Sequence, residues 1–243
     1  MPNALDITLQ ASAPQTAAGS GASVDIGDRT LVQLTVDLTA ITASTVLNLS
    51  VQSAVTPTSW ALASRLKPMA AVGAVQVLVP ITSRYVRLTW TLTGSAPAPS
   101  ATFSVAGQAH QLYCQPGDLT THAIPGTALE GIEPEARALA CLSASDEAAG
   151  YLGMAFTLPL SKWDTDLRRY VAYMAVFQLL GARGFEPGSG KDTLIETRRD
   201  SAIGWLRRIA DGKLRPPGMV DSTPTRRETE VYVVSEAGRG WGR

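Results

Sequence analysis

The residues able to do chemistry are few: two histidines, two cysteines, one glycine-rich loop ending in lysine, and a handful of paired carboxylates. Phe185-Glu-Pro-Gly-Ser-Gly-Lys191-Asp192 has the outline of a phosphate loop, in which backbone N–H groups and a lysine cradle phosphate oxygens. Such a loop requires Gly where Phe185 stands, Ser or Thr where Asp192 stands, and a strand in front, whereas the pattern here puts a helix in front. A carboxylate at Asp192 would also repel the phosphates. His110 and His122 flank Cys114, and Cys141 sits on a distant segment, so a zinc site would need an improbable convergence. A Cys–His nucleophile needs a lowered thiol pKa, and apolar burial would raise it. Glu133 with Glu135, and Asp164 with Asp166, fall at expected helix starts, where capping and the helix dipole account for them. No catalytic, cofactor-binding or metal-binding set is therefore expected, and function is sought in assembly.

The elements that would carry these residues fall into an α+β chain of two domains and an arm. The boundaries are drawn at 1–107, 108–218 and 219–243. With 243 residues, each domain is long enough to bury its own core. The formal net charge of +0 offers no global field toward nucleic acid or an anionic membrane. Two cysteines are too few for a disulfide framework and read as buried small hydrophobes in a reduced setting. No apolar run approaches the ~20 residues needed to span a bilayer. The start, Met-Pro-Asn-Ala-Leu-Asp6, lacks the basic flank and apolar stretch of a signal peptide. A soluble protein, cytoplasmic while being made, with no membrane partner, is expected.

Residues 1–107 alternate with period two, which sends one residue set to a core and the other to solvent. The inward sets are Val32, Leu34, Val36 and Leu38; Val46 or Leu47, then Leu49 and Val51; Val75, Val77, Val79 and Ile81; and Val86, Leu88, Trp90 and Leu92. Phe103 and Val105 begin a last strand after the Pro- and Ser-rich turn at 94–100. Short strands punctuated by turns predict an antiparallel β-sandwich. Trp60 and Trp90 are expected to pack in the core or at its rim, with a sugar-binding platform as the alternative.

Residues 113–218 change period. Gln115-Pro-Gly-Asp118-Leu reads as a turn into a short helix. Pro134 suits a first helical position, with Glu135 in the first turn and an apolar face of Ala136, Leu139, Ala140 and Ser143. Pro159 ends any helix in that region. Asp164 or Thr165 caps the next, whose face is Leu167, Tyr170, Val171, Met174, Phe177 and Leu180, stopping at Gly181. Asp192 or Thr193 starts another, with inner face Ile195, Ala202, Ile203, Leu206 and Ile209, ending at Gly212. Its opposite face carries Arg198, Arg199, Arg207 and Arg208, a solvated face or one turned toward a partner or passing DNA. A small helical bundle is predicted.

Four stretches in register carry a resemblance. They are Tyr113-Cys114-Gln-Pro-Gly-Asp118-Leu119, Tyr151-Leu152 with Leu158-Pro159-Leu160, the Tyr-containing helix at 168–181, and Arg199-Asp-Ser-Ala-Ile-Gly-Trp-Leu-Arg-Arg-Ile-Ala-Asp-Gly-Lys213. Together they resemble the head–tail connector (adaptor, head-completion) proteins of Mu-like and other long-tailed phages. The chain departs from that pattern at Gly150, where the family usually has an acidic residue, and at Ala155-Phe156, where it has Arg-Tyr. In the sandwich, Arg84-Tyr-Val-Arg-Leu-Thr-Trp-Thr-Leu-Thr-Gly94, Ala101-Thr-Phe-Ser-Val-Ala-Gly107 and Ser59-Trp-Ala-Leu-Ala-Ser64 resemble a small β-sandwich module of tailed-phage structural proteins.

The connector resemblance implies a homo-oligomeric ring, twelvefold to match a portal protein, that extends the DNA channel. It also implies a next connector or tail-completion partner, non-specific contact with packaged double-stranded DNA, and a place in the virion at the head–tail interface. In the arm, Pro216-Pro217-Gly218 terminates the helix and residues 229–234 read as a lone apolar strand, which suggests strand addition to a neighbour. The resemblance implies that the arm binds the portal, through Arg226, Arg227, Val231, Tyr232, Val233, Val234 and Trp241. A host-surface or glycan-binding sandwich on a phage structural protein is the alternative reading.

Overall fold

In the computed structural model the described residues are 4–95, 98–181 and 191–221, the side chains of 191, 192 and 221 excepted. Residues 185–190 of the phosphate-loop look-alike and the arm residues Arg226, Arg227, Val231, Tyr232, Val233, Val234 and Trp241 lie outside them.

The period-two segments fold as two antiparallel sheets. The strands are β1 (Ala4–Gln15), β2 (Gly19–Ser20), β3 (Val24–Asp25), β4 (Leu31–Ile41), β5 (Thr45–Ala54), β6 (Ala61–Arg65), β7 (Gly73–Pro80), β8 (Tyr85–Gly94) and β9 (Ala101–His110). One sheet runs β1-β9-β4-β7, and the other runs β2-β8-β5-β6 with β3 also on β8. Between them Val32, Leu34, Val36 and Leu38 of β4 meet Leu47, Leu49 and Val51 of β5, all buried, so Leu47 rather than Val46 points inward. β4 and β9 approach so closely that a Cβ on Gly107 would lie 1.9 Å from the Gln33 carbonyl oxygen, so only glycine fits there.

The third inward set is only half realised. Val79 and Ile81 are buried, but Val75 is 41% exposed because β7 is an edge strand and nothing described covers its far end. β1 has no clean signature, because its pairing with β9 slips between Thr8 and Gln10 and again between Gln10 and Ala13, and each slip breaks the alternation.

The helical unit opens with α1 (Pro116–Asp118), where Asp118 Oδ2 accepts the Gln115 N–H at 2.7 Å. A π-helical turn (Leu119–Ala123) and a 3-10 turn (Gly126–Leu129) lead to α2 (Pro134–Leu152), with proline at its start. The expected face of α2 is corrected: Leu139 and Ser143 are exposed, and Cys141, Ala144, Ser145, Ala148 and Leu152 are buried. The small residues pack because α3 (Thr165–Gly181) comes close, and small side chains let the helix backbones approach. Asp164 is the cap of α3, its Oδ1 accepting the Leu167 N–H at 2.9 Å. α4 (Lys191–Ala210) buries Ala202, Ile203, Leu206 and Ile209, and ends at Gly212 with φ 70°. Two strands without a sequence signature, β10 (Leu160–Lys162) and β11 (Val220–Asp221), pair and tie the segment after α4 to the α2–α3 connection.

Candidate functional site

The family-motif residues build the helical core. Tyr113, Cys114, Leu119, Leu152 and Leu160 are each buried, Tyr151 and Leu158 pack against them half-buried, and Pro159 is also half-buried. The Tyr113 ring meets Trp163 edge-on at 5.6 Å, and its backbone N–H donates to Ser145 Oγ at 3.0 Å. Burial, with the Asp146 charge adding, pushes the Tyr113 phenol well up. The fold brings Cys114 and Cys141 together, although they are remote in sequence. A hydrogen bond to Cys141 and burial hold the Cys114 thiol well above its ordinary pKa, which makes it a packing residue rather than a nucleophile. Asp118 faces Arg168 at 3.9 Å and His122 at 4.0 Å, so this carboxylate organises the entry to the bundle.

His110 does not join the cysteines. It ends β9 and faces Asp146 of α2 at 3.8 Å, at the junction of sandwich and bundle. The neighbouring Gln111 is fully buried; its side chain bonds both backbone groups of Leu160 and reaches the Asp28 carbonyl at 3.4 Å. Leu31, Leu112 and Leu142 form a small apolar cluster beside it, with Leu78 against them. Neither Gln111 nor Ser145 carries a signal in the sequence, since a single buried polar residue has no periodicity.

The basic face of α4 divides in two. Arg198 donates to the Ala123 carbonyl and lies 5.3 Å from the Tyr173 ring, and Arg199 lies 4.6 Å from the Phe177 ring. Both are half-buried against α3, which corrects their expected place on a solvated face. Only Arg207 and Arg208 are exposed. Tyr170 stacks on Trp205 at 4.8 Å beside them, so the α3–α4 surface alternates arginine with aromatic rings, a composition enriched at protein interfaces.

The sugar-platform alternative fails at Trp90. That ring is 6% exposed, packs edge-on against Phe103 at 5.6 Å and donates its indole N–H to the Ala17 carbonyl at 3.1 Å. Trp60 is half-buried with the Arg87 guanidinium 4.3 Å from its ring. Among the described residues no group of three or more His, Cys, Asp or Glu converges as a metal site, and no helix is long and apolar enough to cross a membrane.

A groove runs between edge strand β7 and α2. It holds a cavity of about 290 Å³ walled by Leu31, Leu78, Pro80, Ile81, Leu112 and Ala138, and a second of about 160 Å³ beside Gln76, Glu135 and Leu139.

Comparison with known proteins bears mainly on the helical unit. The family model described as bacteriophage Mu, Gp36 matches residues 112–235. No curated protein matches the chain. Among solved structures, PirA aligns at 13% identity and TM-score 0.28, over 44% of this chain and 93% of that one. Infectious bursal disease virus Gx strain aligns at 14% identity and TM-score 0.28, over 44% and 33%. The CBM51-2 and INT domains of Clostridium perfringens ZmpB, in complex with GlcNAc, align at 6% identity and TM-score 0.29, over 87% and 37%. At such scores these three likenesses carry no argument about fold or function.

Proposed function

Because this chain belongs to the bacteriophage Mu Gp36 family of phage proteins, we infer that it is a virion structural protein: a head–tail connector whose copies form a ring beneath the portal. The observation that carries this reading is the span of the family match, which covers the whole helical unit, with the motif residues forming that unit's core rather than an active site. A bundle whose motif residues are spent on its own packing suits an assembly role.

In this reading the α3–α4 surface, with Tyr170, Trp205 and the half-buried arginines, supplies contacts between copies. Arg207 and Arg208 stay exposed to face the channel, where contact with DNA is electrostatic and independent of sequence. A net charge of +0 suits a channel through which DNA must slide. The arm docks onto the portal, and the sandwich stands outward from the collar. Packaged heads and free tails should accumulate separately in infections lacking this protein. Complete tailed particles formed in its absence would overturn the connector role.

A further inference from the structure

The outer faces of the two sheets carry opposite charge. In the sheet β1-β9-β4-β7 the strands hold Asp6 and Asp37 and no Lys or Arg. Ile7 and Leu9 point into the sandwich, as do Val36 and Leu38, so alternation turns both carboxylates outward, and both are exposed. In the other sheet β8, β5 and β6 hold Arg87 and Arg65 and no Asp or Glu. Arg87 faces outward between buried Val86 and Leu88, and Arg65 stands opposite Ser50, which lies between buried Leu49 and Val51. Lys67 comes next on the same side, because Leu66 packs on the core. Asp25 of β3 is already held by Arg84, at 2.8 Å.

Among the described residues none of Asp6, Asp37, Arg65, Lys67 and Arg87 has an ion-pair partner. An ordinary soluble surface intersperses the two signs, whereas this sandwich sorts them by face. The acidic side continues onto the bundle. Glu135 at the start of α2 lies beside Gln33 and Gln76 of that same outer face, and Glu133 is exposed next to it. Each side also has an apolar centre. On the basic face Leu62, 52% exposed, stands across from Gln52, which accepts the Arg87 Nε–H at 2.8 Å. On the acidic side Leu139, 48% exposed, stands with Leu78.

The two faces of one sandwich look in opposite directions. A twofold contact would set a face against itself, like charge on like. A rotation that carries one copy to the next sets the acidic face against the basic one, and its repetition closes a ring. We propose that the sandwiches of neighbouring copies meet head to tail. The Arg65, Lys67 and Arg87 face of one copy seats on the Asp6 and Asp37 face and the α2 start of the next. This rests on the connector reading for its ring and adds a contact between copies outside the α3–α4 surface. Leu62 and Leu139 supply apolar area, and the charges decide which face meets which.

Two full-length variants test it. Arg65→Glu/Lys67→Glu makes the basic face acidic, and Asp6→Lys/Asp37→Lys makes the acidic face basic. All four side chains are exposed, so both variants should melt as the unaltered protein does. The readout is mass by light scattering, alone or with the portal protein of the same phage. Each variant by itself should need roughly tenfold or more higher concentration to form the ring, since like charge now faces like. An equimolar mixture should recover the ring, because alternating copies set acidic against basic at every contact. A ring untouched by either pair of substitutions would overturn the inference and leave the connector reading standing. So would loss in each variant without recovery in the mixture, since the two faces would then meet other partners. If the unaltered protein forms no ring, alone or with the portal, both readings fall together.

Discussion

The side-chain amide of Gln111 closes on the backbone of Leu160 from both sides, accepting its N–H at 2.8 Å and donating to its carbonyl at 2.5 Å. The side chain thus acts as one rung of a β-ladder, in a place where β10 has β11 on its other side. It also couples the end of the sandwich to the loop that precedes α3. Replacing Gln111 with Leu keeps the volume but strands two buried backbone groups. The expected loss is about 2–4 kcal/mol in urea unfolding, since each orphaned group costs more than the net value of its bond.

Trp90 and Trp60 should separate cleanly. Trp90→Ala opens a cavity between the sheets beside Phe103 and should cost about 3–5 kcal/mol. Trp60→Ala removes a half-buried ring stacked with Arg87 and should cost about 1 kcal/mol or less. Thermal melting of the two variants checks the order.

Alkaline pH should weaken the helical unit through Cys114. Its thiol pKa is raised in the fold by the Cys141 hydrogen bond and by burial, so the folded state holds its proton where the unfolded chain, with a thiol pKa of about 8.5, releases it. The stabilisation is complete below about pH 8.5 and is lost as pH rises above it, at about 1.4 kcal/mol per pH unit. Melting curves from pH 7 to 10 should fall less steeply for Cys114→Ala than for the unaltered protein. Equal slopes would remove this linkage.

The arginines of α4 should differ although they share one helix. Arg198→Ala loses the bond to the Ala123 carbonyl and the contact with Tyr173, and should destabilise by about 1–2 kcal/mol. Arg207→Ala and Arg208→Ala should stay within about 0.5 kcal/mol, as exposed side chains do. Their effect should appear instead in assembly, and particle yield reads it.

These contrasts also mark what the sequence could tell. Strict alternation at Val32–Leu38 and helical spacing at Leu167–Met174 came through, because one face of each element is buried along its length. The α2 pattern puts Leu139 and Ser143 inside and the structure puts them outside, because alanines and serines carry little hydrophobic signal and the small-residue contact with α3 decides which side is buried. Arg198 and Arg199 read as solvated because charge predicts exposure, while their stems and guanidinium planes lie on aromatic rings of another helix. Cys114 and Cys141 could not be paired from spacing, since the contact is made only by tertiary packing. The four stretches in register point to the phage family whose model matches residues 112–235, and their residues pack inside the bundle.

The most direct test of the connector role is the mass of the purified protein in solution, alone and mixed with the portal protein of the same phage. A defined ring, or a monomer that joins the portal only in the mixture, is the expected result. A monomer indifferent to the portal would contradict it and leave the helical unit as a family fold without the proposed role.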